Sequence, residues 1–268
     1  MGRRLGQHFL DRKSTLDRIA EATCASRVQT PLVIEIGAGR GALTESLLER
    51  AEKVIAIEVD PVLIHYLRQK FRDALEVGRL VLVESDILKA DLGSFIGDGG
   101  PAVIAGNLPY YITSPILERI FAAGASCKRA VILVQAEVAA RIVAQPGCRD
   151  YGYLSVQVQV QARAERLFEV PRAAFRPPPK VDSAVVRLEP GDPARDFGIN
   201  DLPYFLTFAG NCFRYKRKTL RNNLAGLYDK SAVESLVGPK DRAEALGIVE
   251  LAKLFQALTK RQAVVYPT

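Results

Sequence analysis

Three groups of residues carry most of the chemistry this sequence offers. In the first, Glu35-Ile36-Gly37-Ala38-Gly39-Arg40-Gly41 follows an apolar run and opens onto a helical pattern. Glycines there let the chain turn tightly and let a ligand approach the backbone closely. Gly37 to Ala42 also satisfies the loose dinucleotide fingerprint GxGxxG/A, and a tight turn with no ligand is the plainer reading. Glu58 closes the next apolar run, 19 residues past Gly39. A carboxylate at that place accepts both hydroxyl protons of a ribose and so selects a nucleoside with a free 2′-hydroxyl. Asp60, just after it, reads as a helix cap. Asp86 closes the third run and either accepts from an adenine amine or caps the following turn.

In the second group, Asn107-Leu108-Pro109-Tyr110-Tyr111 follows the fourth apolar run. Asn and Pro suit a turn, but a turn needs no pair of adjacent aromatics. The set does suit the exocyclic amine of a purine, a poor nucleophile because its lone pair is delocalised into the ring. The Asn107 side-chain oxygen and the Leu108 carbonyl can accept the amine hydrogens, making the nitrogen more tetrahedral. Pro109 fixes the backbone so that this carbonyl faces the site. Tyr110 stacks on the base and holds it in line with an electrophilic methyl group. No strong base is required, because the alkylated amine is acidic enough to lose its proton to water.

The third group is Arg214, Lys216, Arg217, Lys218 and Arg221, five cations in eight residues with no acid among them. The run is expected on a helix, either as a solvated face or, with Tyr215 interleaved, as a grip on phosphates and bases. The 268 residues include 37 basic and 30 acidic ones, a net charge of +7. From residue 191 onward there are 12 basic and 8 acidic residues, so +4 of that surplus lies in the last 78 residues.

The elements that must position these groups are legible from periodicity. Leu32-Val33-Ile34-Glu35-Ile36, Val54 to Glu58, Leu80 to Glu84, Ala102 to Ala105 and Ala130 to Val134 are continuous β-branched or aliphatic runs, as strands buried on both faces require. Helical patterns lie between them, one opened by Asp60-Pro61 and another by Ser114-Pro115. Strand alternating with helix predicts a doubly wound α/β sheet, Rossmann-like, with ligands at its carboxyl edge. Tyr153 to Gln161 alternates apolar with polar and predicts a half-exposed antiparallel strand; Ala184 to Leu188 predicts another. Pro190-Gly191-Asp192-Pro193 reads as a linker, and the spacing beyond it is helical, with a capping box at Ser231 to Glu234 and an apolar face of Ile248, Leu251, Phe255 and Leu258. Two domains are expected, a catalytic sheet at 1–190 and a small all-helical domain at 191–268, with a cleft for RNA between them.

Composition excludes several classes. Apolar residues at 48% and charged residues at 25% are ordinary globular usage. No apolar run reaches the roughly 18 residues of a membrane helix, and the basic start has no apolar stretch behind it, so neither a membrane nor a signal peptide is expected. Four scattered cysteines suit reduced thiols in the cytoplasm. Two histidines are too few for a histidine-rich zinc site, and no metal is expected.

The acid before the glycines and the acids closing strands two and three resemble the S-adenosylmethionine-binding sheet of class I methyltransferases. Together with Gly6-Gln7-His8-Phe9-Leu10, Asn107 to Thr113, Gln135-Ala136-Glu137-Val138 and Phe175-Arg176-Pro177-Pro178-Pro179-Lys180-Val181-Asp182-Ser183, they resemble the KsgA family of small-subunit ribosomal RNA adenine dimethyltransferases. The resemblance runs from residue 5 to about 260. It implies S-adenosylmethionine as methyl donor, 16S ribosomal RNA in the immature small subunit as partner, and a monomer. It also implies that His8, by side chain or backbone, and Leu10 contact the methionine part of the cofactor. Gly37 and Gly39 would line that part, Glu58 the ribose, and Asp86 and Ile87 the adenine. Asn107 would lie between cofactor and target amine, with Tyr110 and Phe175 sandwiching the flipped base. Read without the family, Phe175 is a core residue. The rivals are the Erm family acting on 23S ribosomal RNA, an assembly factor whose RNA binding is primary, and a dehydrogenase.

Overall fold

The structure is a computed structural model that describes residues 8–24, 30–96 and 100–265, with side chains as far as residue 259. Gly6 and Gln7 of the first motif lie outside the described residues. The strands are β1 (Phe9–Leu10), β2 (Leu32–Ile36), β3 (Lys53–Glu58), β4 (Leu80–Glu84), β5 (Ala102–Asn107), β6 (Cys127–Gln135), β7 (Ala162–Val170), β8 (Phe175–Arg176) and β9 (Ser183–Pro190). Seven of them form one sheet in the order β4-β3-β2-β5-β6-β9-β7. The five expected apolar runs are its parallel strands, β4, β3, β2, β5 and β6, and β9 lies antiparallel to β6. Their continuity has the expected cause: Val33, Ile34, Val54, Ile104, Val131 and Ile132 are buried, since both faces of a parallel sheet are covered. β1 and β8 pair as a separate antiparallel ribbon, Phe9 opposite Arg176 and Leu10 opposite Phe175.

The order reverses at β2, which has β3 on one side and β5 on the other. The carboxyl end of β2 is therefore the switch point of the sheet, where such folds leave a crevice. Helix Pro61–Lys70 begins as its sequence demands, with Asp60 accepting from Val62 N at 2.9 Å and Pro61 at the first turn.

The chain divides into two compact units, one comprising Met1–Ala139 and Arg163–Gly191, the other Ala140–Ala162 and Asp192–Thr268. Residues 140–162, expected in the sheet domain, thus belong with the C-terminal helices. The strand expected at Tyr153 to Gln161 is instead a helix, Tyr153–Gln159. Remote carbonyls satisfy two of its polar side chains, buried Ser155 and half-buried Gln159. Ser155 Oγ donates to Arg141 O at 2.5 Å, and Gln159 Nε2 donates to Ile142 O and Ala144 O at 3.1 and 2.9 Å. The alternation that suggested a wet face comes from these partners. The second unit is closed by Phe205, Phe208 and Phe255, with Phe255 centroids 5.6 and 5.5 Å from the other two. Leu251 and Leu258, on the expected apolar face of helix Ile248–Val265, are buried there too.

Candidate active site

A cavity of about 390 Å³ opens at the carboxyl edge of the sheet, within the range of small-molecule sites. His8, Gly37, Gly39, Glu58, Asp86, Ile87, Asn107, Leu108, Pro109 and Tyr110 all line it. An adjoining cavity of about 220 Å³ is lined by Leu10, Glu35, Arg40 and Arg176, and shares Phe9, Gly37, Gly39 and Asn107 with the first.

Local backbone chemistry builds the floor. Gly37 and Gly39 have φ of +75° and +57°, where a side chain is strained. A Cβ at Gly39 would also stand 3.2 Å from the Phe9 ring. Gly37 N and Ala38 N donate to Ile57 O at 2.8 and 3.2 Å, tying the glycine turn to the end of β3. Glu58, 4% exposed, completes the tie: its Oε2 accepts from Gly39 N at 2.8 Å, and its Oε1 from Val59 N and Asp60 N at 2.9 and 3.0 Å. Two bonds saturate Oε1, but Oε2 keeps acceptor capacity toward the cavity that Glu58 lines. Asp86 uses Oδ1 to accept from Leu88 N at 2.9 Å, so it does cap its turn, and Oδ2 is left for a ligand amine. Two spaced carboxylates over a glycine turn, with Ile57 and Ile87 as apolar walls, fit a nucleoside.

Glu35 lines the smaller cavity and is buried beneath the turn. Burial pushes its carboxyl up to about 8, against the opposing hydrogen bond from Thr44 Oγ1 at 2.6 Å.

The wall opposite is the Asn107 segment. Asn107 ends β5 and its Nδ2 donates to His8 O at 3.1 Å, which leaves Oδ1 as the free acceptor. Leu108 N donates to Leu133 O at 3.0 Å, fixing the turn off the sheet before Pro109, whose φ and ψ are −60° and 126°. The half-buried Tyr110 shares a 2.8 Å hydrogen bond between its hydroxyl and Ser183 Oγ. Burial raises its phenol above the ordinary value, and the Ser183 bond opposes that. The ring of His8 is stacked toward Tyr110, with centroids 6.1 Å apart and planes 25° from parallel.

Phe175 is not brought into this assembly. Its side chain is 0% exposed, in the core with Leu10 and Val185, and it lines neither cavity. Its burial matches the reading made without the family, in which Phe175 is a core residue; the Tyr110–Phe175 sandwich rests on the resemblance. Nothing local in the sequence marked His8 and Ser183 as the partners of Tyr110, since they lie 102 and 73 residues away from it.

The basic run does not form a helix. Arg214 to Thr219 lie in turns between helices Leu202–Cys212 and Leu220–Leu224. Like charges three and four apart would repel on a helix. Buried Asn223 secures the turns instead: its Oδ1 accepts from Tyr215 N at 3.1 Å, and its Nδ2 donates to Cys212 O at 2.8 Å. Arg214, Lys216, Arg217 and Lys218 are exposed. Lys216 Nζ donates to Arg149 O at 3.0 Å, and the Arg214 guanidinium sits 5.2 Å from the Tyr215 ring centre. Arg221 is committed elsewhere, donating to Val237 O and Glu234 O at 2.7 and 3.0 Å at the end of helix Lys230–Leu236. No group of three or more metal-ligating side chains occurs among the described residues.

A family model described as "Ribosomal RNA adenine dimethylase" matches residues 2–260. A protein of Acidobacterium capsulatum named ribosomal RNA small subunit methyltransferase A is 42% identical, over 96% of this chain and 91% of its own. A protein of the same name from Koribacter versatilis is 40% identical, over 96% and 94%. A solved dimethyladenosine transferase from Plasmodium falciparum superposes with a TM-score of 0.78 at 26% identity, covering 95% of this chain and 98% of that one. The solved 23S rRNA methyltransferase ErmE gives 0.68 at 28%, covering 94% and 99%. With a glycine turn, two cavity-lining acids and the Asn107 segment around one cavity, and with these relatives spanning nearly the whole sequence, the chain belongs to the ribosomal RNA adenine dimethylase family.

Proposed function

We propose that the protein dimethylates the exocyclic amine of two adjacent adenosines near the 3′ end of 16S ribosomal RNA in the immature small subunit, with S-adenosylmethionine as donor. The observation that carries this reading is one cavity holding both Gly37, Gly39 and Glu58 and the acceptor segment Asn107 to Tyr110. When bound, S-adenosylmethionine supplies an electrophilic methyl group on a sulfonium. Glu58 Oε2 accepts from its ribose, Asp86 Oδ2 from its adenine amine, and Ile87 packs against that ring. Asn107 Oδ1 and the Leu108 carbonyl accept the hydrogens of the target amine and direct its lone pair. Pro109 limits the freedom of that turn, and Tyr110 presents a ring for the base, which must leave its own stack to enter. Arg214, Arg217 and Lys218 meet phosphates. We place the protein in the cytoplasm as a monomer.

The names of the curated relatives support the small-subunit target. A large-subunit target is the second reading, because the ErmE structure shares nearly the whole fold. Purified protein with labelled donor should mark immature small subunits, and dimethyladenosine should map to the 3′ end of their RNA. Label confined to large-subunit RNA would overturn the assignment.

A further inference from the structure

We infer that Tyr215 is a stacking platform for an unpaired RNA base, so that the basic turn grips a single-stranded loop or bulge rather than plain duplex. The inference rests on the reading of the substrate as ribosomal RNA. The site belongs to the second compact unit, and every residue that lines the cavity belongs to the first. Among the described residues, Tyr66, Tyr111, Tyr204 and Tyr215 are the tyrosines at least 40% exposed. Exposure alone decides nothing. Of the four, however, only Tyr215 has a cation on both sides in the chain, Arg214 and Lys216.

The turn holds this ring ready. Buried Asn223 accepts from Tyr215 N at 3.1 Å and donates to Tyr215 O at 3.3 Å, and Lys218 N donates to the same carbonyl at 2.9 Å. On the next residue, Lys216 Nζ is tied to Arg149 O at 3.0 Å. The bonds to Tyr215 use its backbone, so they place the ring without covering it, and a platform fixed in advance lowers the ordering cost of binding. The Arg214 guanidinium, 5.2 Å from the ring centre, holds one face by cation–π attraction. A ring covered on both faces could not be 53% exposed, so a face is left for a ligand. Chemistry names that ligand. Duplex RNA hides its base faces in the stack and offers phosphates, sugars and base edges, whereas unpaired bases in loops and bulges expose their faces and stack on aromatic side chains. Cations alone would suit any phosphate backbone. An open tyrosine face among exposed Arg214, Lys216, Arg217 and Lys218 suits phosphates that flank a base turned out of its strand. Every base has a π-face, so Tyr215 selects for an unpaired base and not for a sequence. Tyr215 thus binds the RNA directly, and Asn223 is its positioning residue.

The test measures binding of the full chain to a blunt RNA duplex and to an RNA hairpin with an unpaired loop, matched in phosphate number, by fluorescence anisotropy over a range of salt concentrations. Tyr215→Ala should weaken hairpin binding about tenfold and leave duplex binding within about twofold, which also shows the turn to be intact. Its slope of log affinity against log salt on the hairpin should remain that of wild type, because no phosphate contact is lost. Tyr215→Phe keeps the ring and should bind the hairpin within about twofold of wild type. Equal hairpin affinities for Tyr215→Ala and wild type, an equal loss on both RNAs, or a Tyr215→Phe as weak as Tyr215→Ala would overturn the inference. Wild-type protein that neither binds these RNAs nor methylates small-subunit RNA would sink the underlying function; a wild type that does both, with an indifferent Tyr215→Ala, sinks only this assignment.

Discussion

Asn107 acts at the scale of single atoms. Its Nδ2 is spent on His8 O, so in the proposed reaction Oδ1 is the acceptor left for the target amine. Removing a preorganised polar partner of a developing charge costs about a hundredfold in rate. Asn107→Ala should therefore lower kcat by about that factor while RNA affinity changes little. An unchanged kcat would remove the acceptor role. Glu35 makes a second prediction. Its folded carboxyl is raised from 4.5 to about 8, chiefly by burial. A raised carboxyl binds its proton more tightly when folded, so its stabilising contribution is complete below about 4.5 and fades as pH rises to about 8. Glu35→Gln should flatten that decline, by an amount on the order of a few kcal/mol across the window. Denaturant midpoints measured against pH would decide it; parallel curves for the two proteins mean that Glu35 holds no such proton.

At the scale of elements, buried polar side chains decide what periodicity leaves open. Asn223 holds the turns of the basic run with bonds to Tyr215 N, Cys212 O and Tyr215 O. Asn223→Ala should cost about 2–3 kcal/mol, because buried backbone groups lose their partners; urea melts would show it. Those turns present the exposed side chains of Arg217 and Lys218 to solvent. Reversing both charges should weaken RNA binding and reduce the slope of log affinity against log salt by roughly one per lost phosphate contact. An unaltered slope would return the run to a merely solvated surface. Capping shows the same limit: Ser231 to Glu234 looked like a capping box, yet Asp229 is the cap, accepting from Ala232 N at 2.8 Å, with Ser231 Oγ bonded to Asp229. β7 went unread because Arg163, Glu165 and Arg166 interrupt it, as suits the edge of a sheet.

Over the whole molecule, burial sets thiol reactivity. Cys24 and Cys127 are pushed up to about 11 and about 12 by burial, Cys212 is raised further for the same reason, and Cys148 is exposed. Iodoacetamide should label the native chain once, at Cys148, and all four sites only after unfolding. Native labelling at Cys24, Cys127 or Cys212 would mean that its unit opens under native conditions. Among the described residues no helix is long and apolar enough to cross a membrane.

The sequence by itself determined the parallel sheet and the crevice at its switch point. Strands covered on both faces must be continuously apolar, and a positive φ beside a ligand demands glycine wherever the rest of the chain goes. Both constraints are local. Only the tertiary structure decided that Tyr153–Gln159 is a helix, that Arg221 serves a helix end, that Phe175 is core and that His8 faces Tyr110. Each of those outcomes depends on carbonyls or rings supplied from distant parts of the chain, and no local pattern records which distant group will arrive.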